Sequence, residues 1–469
     1  MFDSGEIAKW ADGSWTSAPR GVIKGFCFDS RSVRPGDVFF ALKSETADGH
    51  NYVLKALDAG AAGAMVRADW NPPGVDTASL PLLRVNDPLK AMHAVAAAWR
   101  RKVGPFIVGV TGSVGKSTVK TWTASLIAEQ FRTASTIANF NNDIGLPISL
   151  TSMAPDTEKG VFEVGMNHKG ELAPLCRTLA PNAAIITAIG PVHIEFFPSV
   201  EAIADEKAEL LRALPPDGFA VLDVASPWYP ILLGATRARV VTVRVREGNR
   251  VAEANYEARV VDPLSGSFEV FGRSVPSSAK VVTGFPGAHN VLNALYAIAA
   301  AHECGVPWEK VLHGVANLPS MKMRWERETI DGATWVNDAY NANPIAMAAS
   351  LRTFNGTVGG AGRRIYVLGE MRELGADSRR FHDEIGELVG ELGGEVFVGV
   401  GEAGGWMIDA AIAHGFTGEA VRVPDAAAAG RALAELLREG DNVLLKASHG
   451  VALENVLPAY RKSKAQSEK

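Results

Sequence analysis

Cysteine is scarce in this 469-residue sequence: only Cys27, Cys176 and Cys304 occur, far apart and with no pairing pattern. That excludes a disulfide framework and fits a reducing compartment. No apolar run reaches the roughly 18 residues that a membrane-spanning helix needs, so no membrane insertion is expected. The opening stretch, MFDSGEIAKWADGSW, lacks the basic-then-apolar layout of a secretory signal. Basic charge is not in excess, because 47 Lys and Arg stand against 52 Asp and Glu, for a formal net charge of −5. The overall charge therefore leaves no footprint for nucleic acid. No internal repeat is visible. A cytoplasmic location follows as the expectation.

What is present is a globular balance, 47% hydrophobic and 21% charged residues. The length calls for more than one core. Three α/β blocks emerge, at 1–86, 87–318 and 319–469. The first mixes short apolar runs (Asp37–Leu42, Ala62–Val66) with Gly- and Pro-marked turns, as in a small α/β unit. Asp87 then makes a good N-cap and Pro88 a good first helical residue. Leu89, Met92, Val95, Ala96 and Trp99 follow at helical spacing and predict a helix leading into the next block. In the second block, strands are expected at Phe106–Val110, Gly160–Val164 and Ala183–Ala188, alternating with helices, which predicts a mainly parallel sheet. The third block repeats that rhythm with strands at Arg364–Leu368, Glu395–Val400 and Asn442–Lys446. It resembles a Rossmann-like, doubly wound unit without a clean dinucleotide fingerprint. The charged tail, Arg461–Lys469, reads as frayed.

The strongest local signal is Gly109-Val-Thr-Gly-Ser-Val-Gly-Lys-Ser-Thr118, set between an apolar strand and a helical stretch, Thr118–Phe131. This is the context of a P-loop. Glycines let backbone N–H groups close around phosphate oxygens, and the helix N-terminus adds its positive dipole end. Gly112, Ser113, Val114, Gly115, Lys116, Ser117 and Thr118 are the candidate phosphate ligands. Lys116 would reach the β- and γ-phosphates, and the Ser117 hydroxyl would meet Mg²⁺. The spacing departs from the usual pattern, since Val110 stands where the first glycine belongs and Gly109 and Gly112 lie nearby. A ligand-free Gly-rich turn is the competing reading, and the order strand, turn, Gly-Lys-Ser, helix weighs against it.

A P-loop also needs an acid at the end of a neighbouring strand. Glu163, after Gly160-Val-Phe, is placed for that, although a strand-end glutamate is commonly just solvated. His193 follows a strand and the turn Gly190-Pro191, where strand ends converge; a lone histidine there can equally be structural. Lys207 lies four residues after Ile203 and three before Leu210, on the inward stripe of a helix beginning near Ser199. Its ammonium must snorkel to water or find a partner, and a lysine so held can also be modified or serve a nucleotide.

Together these segments resemble the Mur ligase family. Thr111–Thr118 resembles that family's ATP-binding motif, and Ala138-Asn-Phe-Asn-Asn-Asp-Ile-Gly-Leu-Pro147 its substrate-side loop, which carries Asn142. The resemblance implies that Glu163 and His193 bind magnesium. It also implies that Lys207, fourteen residues after His193, carries a CO₂-derived carbamate that helps hold a second Mg²⁺. Gly287-Ala-His-Asn-Val-Leu-Asn293 resembles the segment at the adenine, with Asn290 at the base. Arg324 resembles the arginine that approaches ATP from the third block, and Asp338 the aspartate at the ribose. Lys116, Lys207 and His193 are thereby implied as catalytic.

Tyr340-Asn-Ala-Asn-Pro344 looks like the signature of the D-alanyl-D-alanine-adding members, with Tyr340 and Asn343 on the substrate side. Val367-Leu-Gly-Glu-Met-Arg-Glu-Leu-Gly375, with Ser378 and His382, continues the likeness. Asp29-Ser-Arg-Ser-Val-Arg-Pro-Gly-Asp-Val-Phe-Phe-Ala-Leu42 resembles the family's UDP-binding domain and implies Ser30 and Arg31 near the uridine diphosphate. Two departures stand out: Lys446-Ala-Ser-His449 where Lys-Gly-Ser-Arg is usual, and Ala339 before the signature tyrosine. The implied partners are ATP with two Mg²⁺, a UDP-N-acetylmuramoyl-tripeptide and D-alanyl-D-alanine, handled by a monomer. A relative adding a single amino acid, such as lysine or diaminopimelate, is the near alternative. A P-loop switch that turns over ATP without an amine is the distant one.

Overall fold

The computed structural model describes residues 1–44, 47–246, 253–358 and 362–467. Three sheets form, each from one continuous stretch of chain. The first has β1 (Ser14–Trp15), β2 (Gly25–Cys27), β3 (Asp37–Phe40), β4 (Gly63–Arg67) and β5 (Leu82–Val85). Their spatial order is β1-β5-β4-β3-β2, parallel except for β1.

The second comprises β6 (Phe106–Thr111), β7 (Thr133–Ser135), β8 (Lys159–Glu163), β9 (Ala183–Ile186) and β10 (Phe219–Asp223). It continues with β11 (Arg239–Arg246), β12 (Tyr256–Asp262), β13 (Ser267–Phe271) and β14 (Ala279–Val282). The order is β14-β13-β12-β11-β10-β9-β6-β8-β7; β13 pairs antiparallel with both β12 and β14, and the other pairs are parallel. Val108, Val110, Val161 and Ile185 on the central strands are fully buried, as a parallel sheet covered on both faces requires.

The third sheet has β15 (Glu326–Ile330), β16 (Ala333–Asn337), β17 (Arg364–Leu368), β18 (Val396–Val400), β19 (Glu419–Val423) and β20 (Asn442–Lys446). Its order, β15-β16-β20-β17-β18-β19, is parallel apart from the edge strand β15. The order reverses at β20, so the loops after β16, β17 and β20 open one crevice at the carboxyl ends.

The helix Pro88–Val103 joins the first two sheets. Asp87 caps it by accepting from Leu89 N and Lys90 N at 3.0 and 3.1 Å, and Gly104 closes it in a left-handed turn, φ 69°. Losing such a cap typically costs about 1 kcal/mol. Trp99 Nε1 donates to Met153 O at 3.1 Å and Arg100 donates to Leu179 O and Ala180 O, fixing the helix to the central sheet. One hydrophobic cluster runs from Phe2 and Ile7 through Met92 and Trp99 to Phe162, Ile203 and Leu210, so the first two sheets share a core. The third sheet buries its own clusters, with Phe354 and Phe397 in one and Val398 and Tyr460 in another.

Several boundaries move from the expected ones for visible reasons. The helix expected at Thr118–Phe131 is Lys116–Ala128, because Gly115 (φ 88°) starts it earlier. The strand expected to reach Ala188 stops at Ile186, since Ala188 O turns to accept Ser113 N and Val114 N at 2.8 and 3.1 Å. Gly109 is not part of the loop: it lies within β6, where a Cβ would come 2.7 Å from Leu210 Cδ1. The tail reads as frayed from Arg461, yet the helix Val456–Ser467 carries it, with Val456 and Tyr460 buried; its last two residues lie outside those described.

Candidate active site

The loop between β6 and the helix Lys116–Ala128 is built to wrap a phosphate. Gly112 (φ 153°) packs on Thr187, whose Oγ1 would sit 1.9 Å from an added Cβ. Thr187 Oγ1 donates to Val114 O at 2.7 Å, and Ser113 Oγ to Gly190 O at 3.1 Å. The loop is thus held by the chain after β9, which leaves the helix N-terminus open to an anion. Lys116 Nζ rests on Ser113 O at 3.2 Å. Burial lowers its pKa, with Arg324 pushing the same way and Glu163 resisting.

Behind the loop, Glu163 is 2% exposed. Its Oε1 accepts from Asn141 Nδ2 at 2.7 Å, while Oε2 is buried with no hydrogen-bond partner. An orphaned carboxylate oxygen is costly unless a ligand completes it. Among the described residues no group of three or more His, Cys, Asp or Glu gathers. Ser117 and His193 line the same cavity as Glu163. The carboxylate and the hydroxyl suit magnesium, a hard cation that prefers oxygen ligands.

Lys207 is 2% exposed at the end of the helix Val200–Lys207. It does not snorkel. Burial lowers its pKa well below the ordinary value; Lys116 adds to the shift, and Glu206 and Glu163 oppose it. Lys120, one helical turn beyond Lys116, is a further buried lysine that the sequence did not single out; its Nζ reaches Thr136 O at 3.5 Å.

The third sheet supplies the opposite wall. Arg324 donates to Ser117 Oγ at 3.1 Å, and its guanidinium lies 4.2 Å from the ring centroid of Tyr340. Met323 and Trp325 on either side of it both hold left-handed φ values, 57° and 56°, an uncommon conformation for bulky residues. Asp338, after β16, accepts from Trp325 N at 3.2 Å and from Lys446 Nζ at 2.7 Å. Lys446, at the end of β20, also donates to Asp338 O and Asn341 O, which uses all three of its protons. The neighbouring His289 imidazole is pushed down to about 4, mainly by burial and also by Lys446, against the pull of Asp338. His449, in the departing Lys-Ala-Ser-His segment, stacks on Tyr340 with centroids 6.1 Å apart.

His193, at φ 59°, points its Nδ1 at the Glu373 carboxylate of the third unit, close enough for a hydrogen bond. That contact lowers the Glu373 pKa. No sequence pattern marked this pairing, because 180 residues separate the partners.

Part of this set surrounds one cavity of about 1190 Å³; Lys207, expected at the site, is not among the residues lining it. The phosphate loop from Ser113 to Thr118, Glu163, His193, Asn290, Arg324 and Asp338 line it, as do Asn142, Tyr340 and Asn343. Asn290 is engaged by its own helix, donating to Pro286 O at 2.8 Å. Asn142 caps a turn through Gly145 N, and Asn343 caps the helix Pro344–Thr357 through Ala346 N. It is Asn141 that meets Glu163. Ser30 and Arg31 do not line this cavity, and Arg31 is exposed and paired with Asp29. They sit in the turn that follows β2; Phe28, just before them, lies with its ring 5.7 Å from that of Phe140 in the 138–147 loop.

Comparisons with known proteins cover the same ground. Residues 22–100 match the Mur ligase family catalytic domain, 110–301 the Mur ligase middle domain, and 323–449 the Mur ligase glutamate ligase domain. The chain is 32% identical over 438 residues to the UDP-N-acetylmuramoyl-tripeptide–D-alanyl-D-alanine ligase of Bacillus subtilis, covering 93% of each. It superposes on crystalline MurF from Acinetobacter baumannii with a TM-score of 0.85 at 26% identity, covering 97% of this chain and 98% of that one. The MurF ligase of Thermotoga maritima in complex with ADP gives 0.79 at 26% identity, covering 95% and 98%.

Proposed function

We propose, from the premise that this chain belongs to the Mur ligase family, that its cavity forms an amide by way of an acyl phosphate. The chain is an ATP-dependent ligase that joins D-alanyl-D-alanine to a UDP-N-acetylmuramoyl-tripeptide in peptidoglycan precursor synthesis. The observation that carries the reading is the single cavity shared by the phosphate loop, the substrate-side loop and Arg324, Asp338 and Lys446 of the third unit.

A carboxylate is a poor electrophile, and transfer of the γ-phosphoryl group gives it a leaving group. The dipeptide amine then attacks the carbonyl carbon, phosphate departs, and the amine proton is lost. Two anions must meet in the first step, so stabilisation of negative charge dominates the catalytic demand. Lys116 would serve from the phosphate loop and Arg324, which donates to Ser117 Oγ, from the third unit. Asn290 and Asp338 would orient the nucleoside. Ser30 and Arg31 would meet the uridine diphosphate, with Asn142, Tyr340 and Asn343 toward the peptide substrates. Docking of the third unit removes water that would hydrolyse the acyl phosphate.

Magnesium, held by Ser117, Glu163 and His193, would neutralise phosphate charge. The orphaned Glu163 oxygen supports that assignment. A carbamate on Lys207 would convert a repelled buried ammonium into a carboxylate-like ligand for a second Mg²⁺. We also take the chain as a cytoplasmic monomer: its buried, unpaired cysteines support a reducing compartment, and sedimentation would test the monomer. No helix among the described residues is long and apolar enough to cross a membrane.

The deciding assay is phosphate release with UDP-N-acetylmuramoyl-tripeptide and ATP, with and without D-alanyl-D-alanine. Turnover should depend on the dipeptide. Robust ligation of lysine or diaminopimelate onto a muramoyl dipeptide would move the chain to the neighbouring activity, and amine-independent turnover would point to a switch.

A further inference from the structure

The segment Val367–Gly375 takes no part in the chemistry above, yet its loop is tightly specified. His382 is fully buried; its Nε2 accepts from Met371 N at 2.8 Å, and its Nδ1 donates to Ser378 O at 2.7 Å. Arg372 N donates to Ser448 Oγ at 3.0 Å. Held on both sides, the next residue, Glu373, adopts a left-handed φ of 61°. Such backbone strain persists only where the surroundings over-determine it.

What this arrangement aims at is the stretch between β9 and the helix Val200–Lys207. Glu373 meets His193 Nδ1 with its carboxylate, and its carbonyl accepts from Glu195 N at 3.4 Å. A Cβ on Gly375 would lie 2.9 Å from Glu195 Cβ, and one on Gly190 would lie 1.9 Å from Ile345 Cδ1. Ile194 packs into the core of the third unit. The third unit therefore seats on the loop carrying His193, and Glu373 is the ionised group in that seat that touches the imidazole.

We propose that Glu373 is a positioning residue, through which docking of the third unit fixes the His193 tautomer needed at the cation site. A carboxylate at Nδ1 requires the proton there, which leaves the Nε2 lone pair as the ring's free ligand. Undocked, the ring can place its proton on either nitrogen. Docking and completion of the cation site are thus coupled through one hydrogen bond. This rests on the assignment of His193 as a magnesium ligand under Proposed function.

The test is Mn²⁺ binding to the full chain saturated with ADP, followed by electron paramagnetic resonance without turnover. Glu373→Ala should weaken Mn²⁺ by about 10–100-fold, the range typical of losing such a supporting carboxylate. Glu373→Gln should recover much of that loss, because its amide oxygen still accepts from Nδ1. The double variant Glu373→Ala/His193→Ala should bind no worse than His193→Ala alone. An unchanged Mn²⁺ affinity in Glu373→Ala, beside a clear loss in His193→Ala, would overturn the inference and leave the ligand assignment standing. Unchanged affinity in His193→Ala would overturn both. Additive losses in the double variant would mean that Glu373 acts elsewhere, again overturning it. If Glu373→Ala does not fold, Glu373→Gln and Glu373→Asp carry the same comparison.

Discussion

Replacing Lys207 with methionine should stabilise the protein at neutral pH while removing its activity. The side chain is 2% exposed, and the structure gives its ammonium no hydrogen-bond partner among the described residues. Burial, reinforced by Lys116, depresses its pKa far below 10.5 despite Glu206 and Glu163. The unfolded chain then holds the proton more tightly than the folded one. The lysine consequently destabilises the fold at neutral pH, and the penalty fades as pH rises toward 10.5 and is gone above it. Methionine fills similar space without charge. Exchanging buried ionic groups for apolar ones has given gains of about 1–4 kcal/mol. At roughly 2–4 °C per kcal/mol for a unit of this size, melting should rise by several degrees at pH 7. The gain should shrink toward pH 10. Bicarbonate adds a control: a carbamate beside Lys116 should raise the melting point of the parent and leave that of the variant unchanged. The assay is calorimetry in CO₂-free and bicarbonate buffers, alongside ligase rates. A Lys207→Met protein melting below its parent at pH 7 without CO₂ would refute the uncompensated-ammonium reading, and a retained rate would refute the functional role.

Further outcomes follow from the same geometry. Lys116→Ala should abolish ATP turnover with little change in melting, because Ser113 O is the amine's one hydrogen-bond partner among the described residues; a near-normal rate would remove the phosphate role. Arg324→Ala should slow turnover at saturating ATP by about 10²-fold or more, as loss of a charge-stabilising donor does, and an unchanged rate would contradict docking over the nucleotide. Asp338→Ala should lower both rate and stability, by about 3 kcal/mol or more, since it strands buried Lys446; denaturant titration measures it. His289, held near 4, should make stability fall as pH drops from 6.5 toward 4, because the unfolded ring takes up the proton first. His289→Asn should flatten that part of the stability–pH curve.

Much of the fold was legible because it rests on local patterns. Asp87 and Pro88 announced a helix start that the structure reproduces, and the apolar runs at β6, β8, β17 and β20 lie within a residue or so of their expected bounds. Lys207 was legible for the same reason: its position on the stripe of Ile203, Leu210 and Leu211 is where the burial falls. What escaped was set by the tertiary structure. Nothing near Asn141 distinguishes it from Asn142, yet β8 puts Glu163 beside the first and the following turn uses the second. Gly109 read as part of a phosphate loop because its packing partner, Leu210, is a hundred residues away. The Glu373–His193 contact and the Lys446–Asp338 pair both join distant strand ends, where only the assembled crevice defines neighbours.

The hydrophobic cluster running from Phe2 to Leu210 has a consequence for how such a gene can be recombined. A splice near residue 86 would divide that core and expose Met92, Val95 and Trp99, so the first unit can change hands only together with the Pro88–Val103 helix and the matching face of the second. A splice near residue 319 leaves the third unit's clusters whole apart from Ile194, which packs against one of them. The third unit is therefore the portable cassette. A hybrid that inherited it from a relative would need to match the seat around Gly190–Glu195, the approach of Arg324 and the packing of Thr353 on Gly287, while the first two units stay as they are.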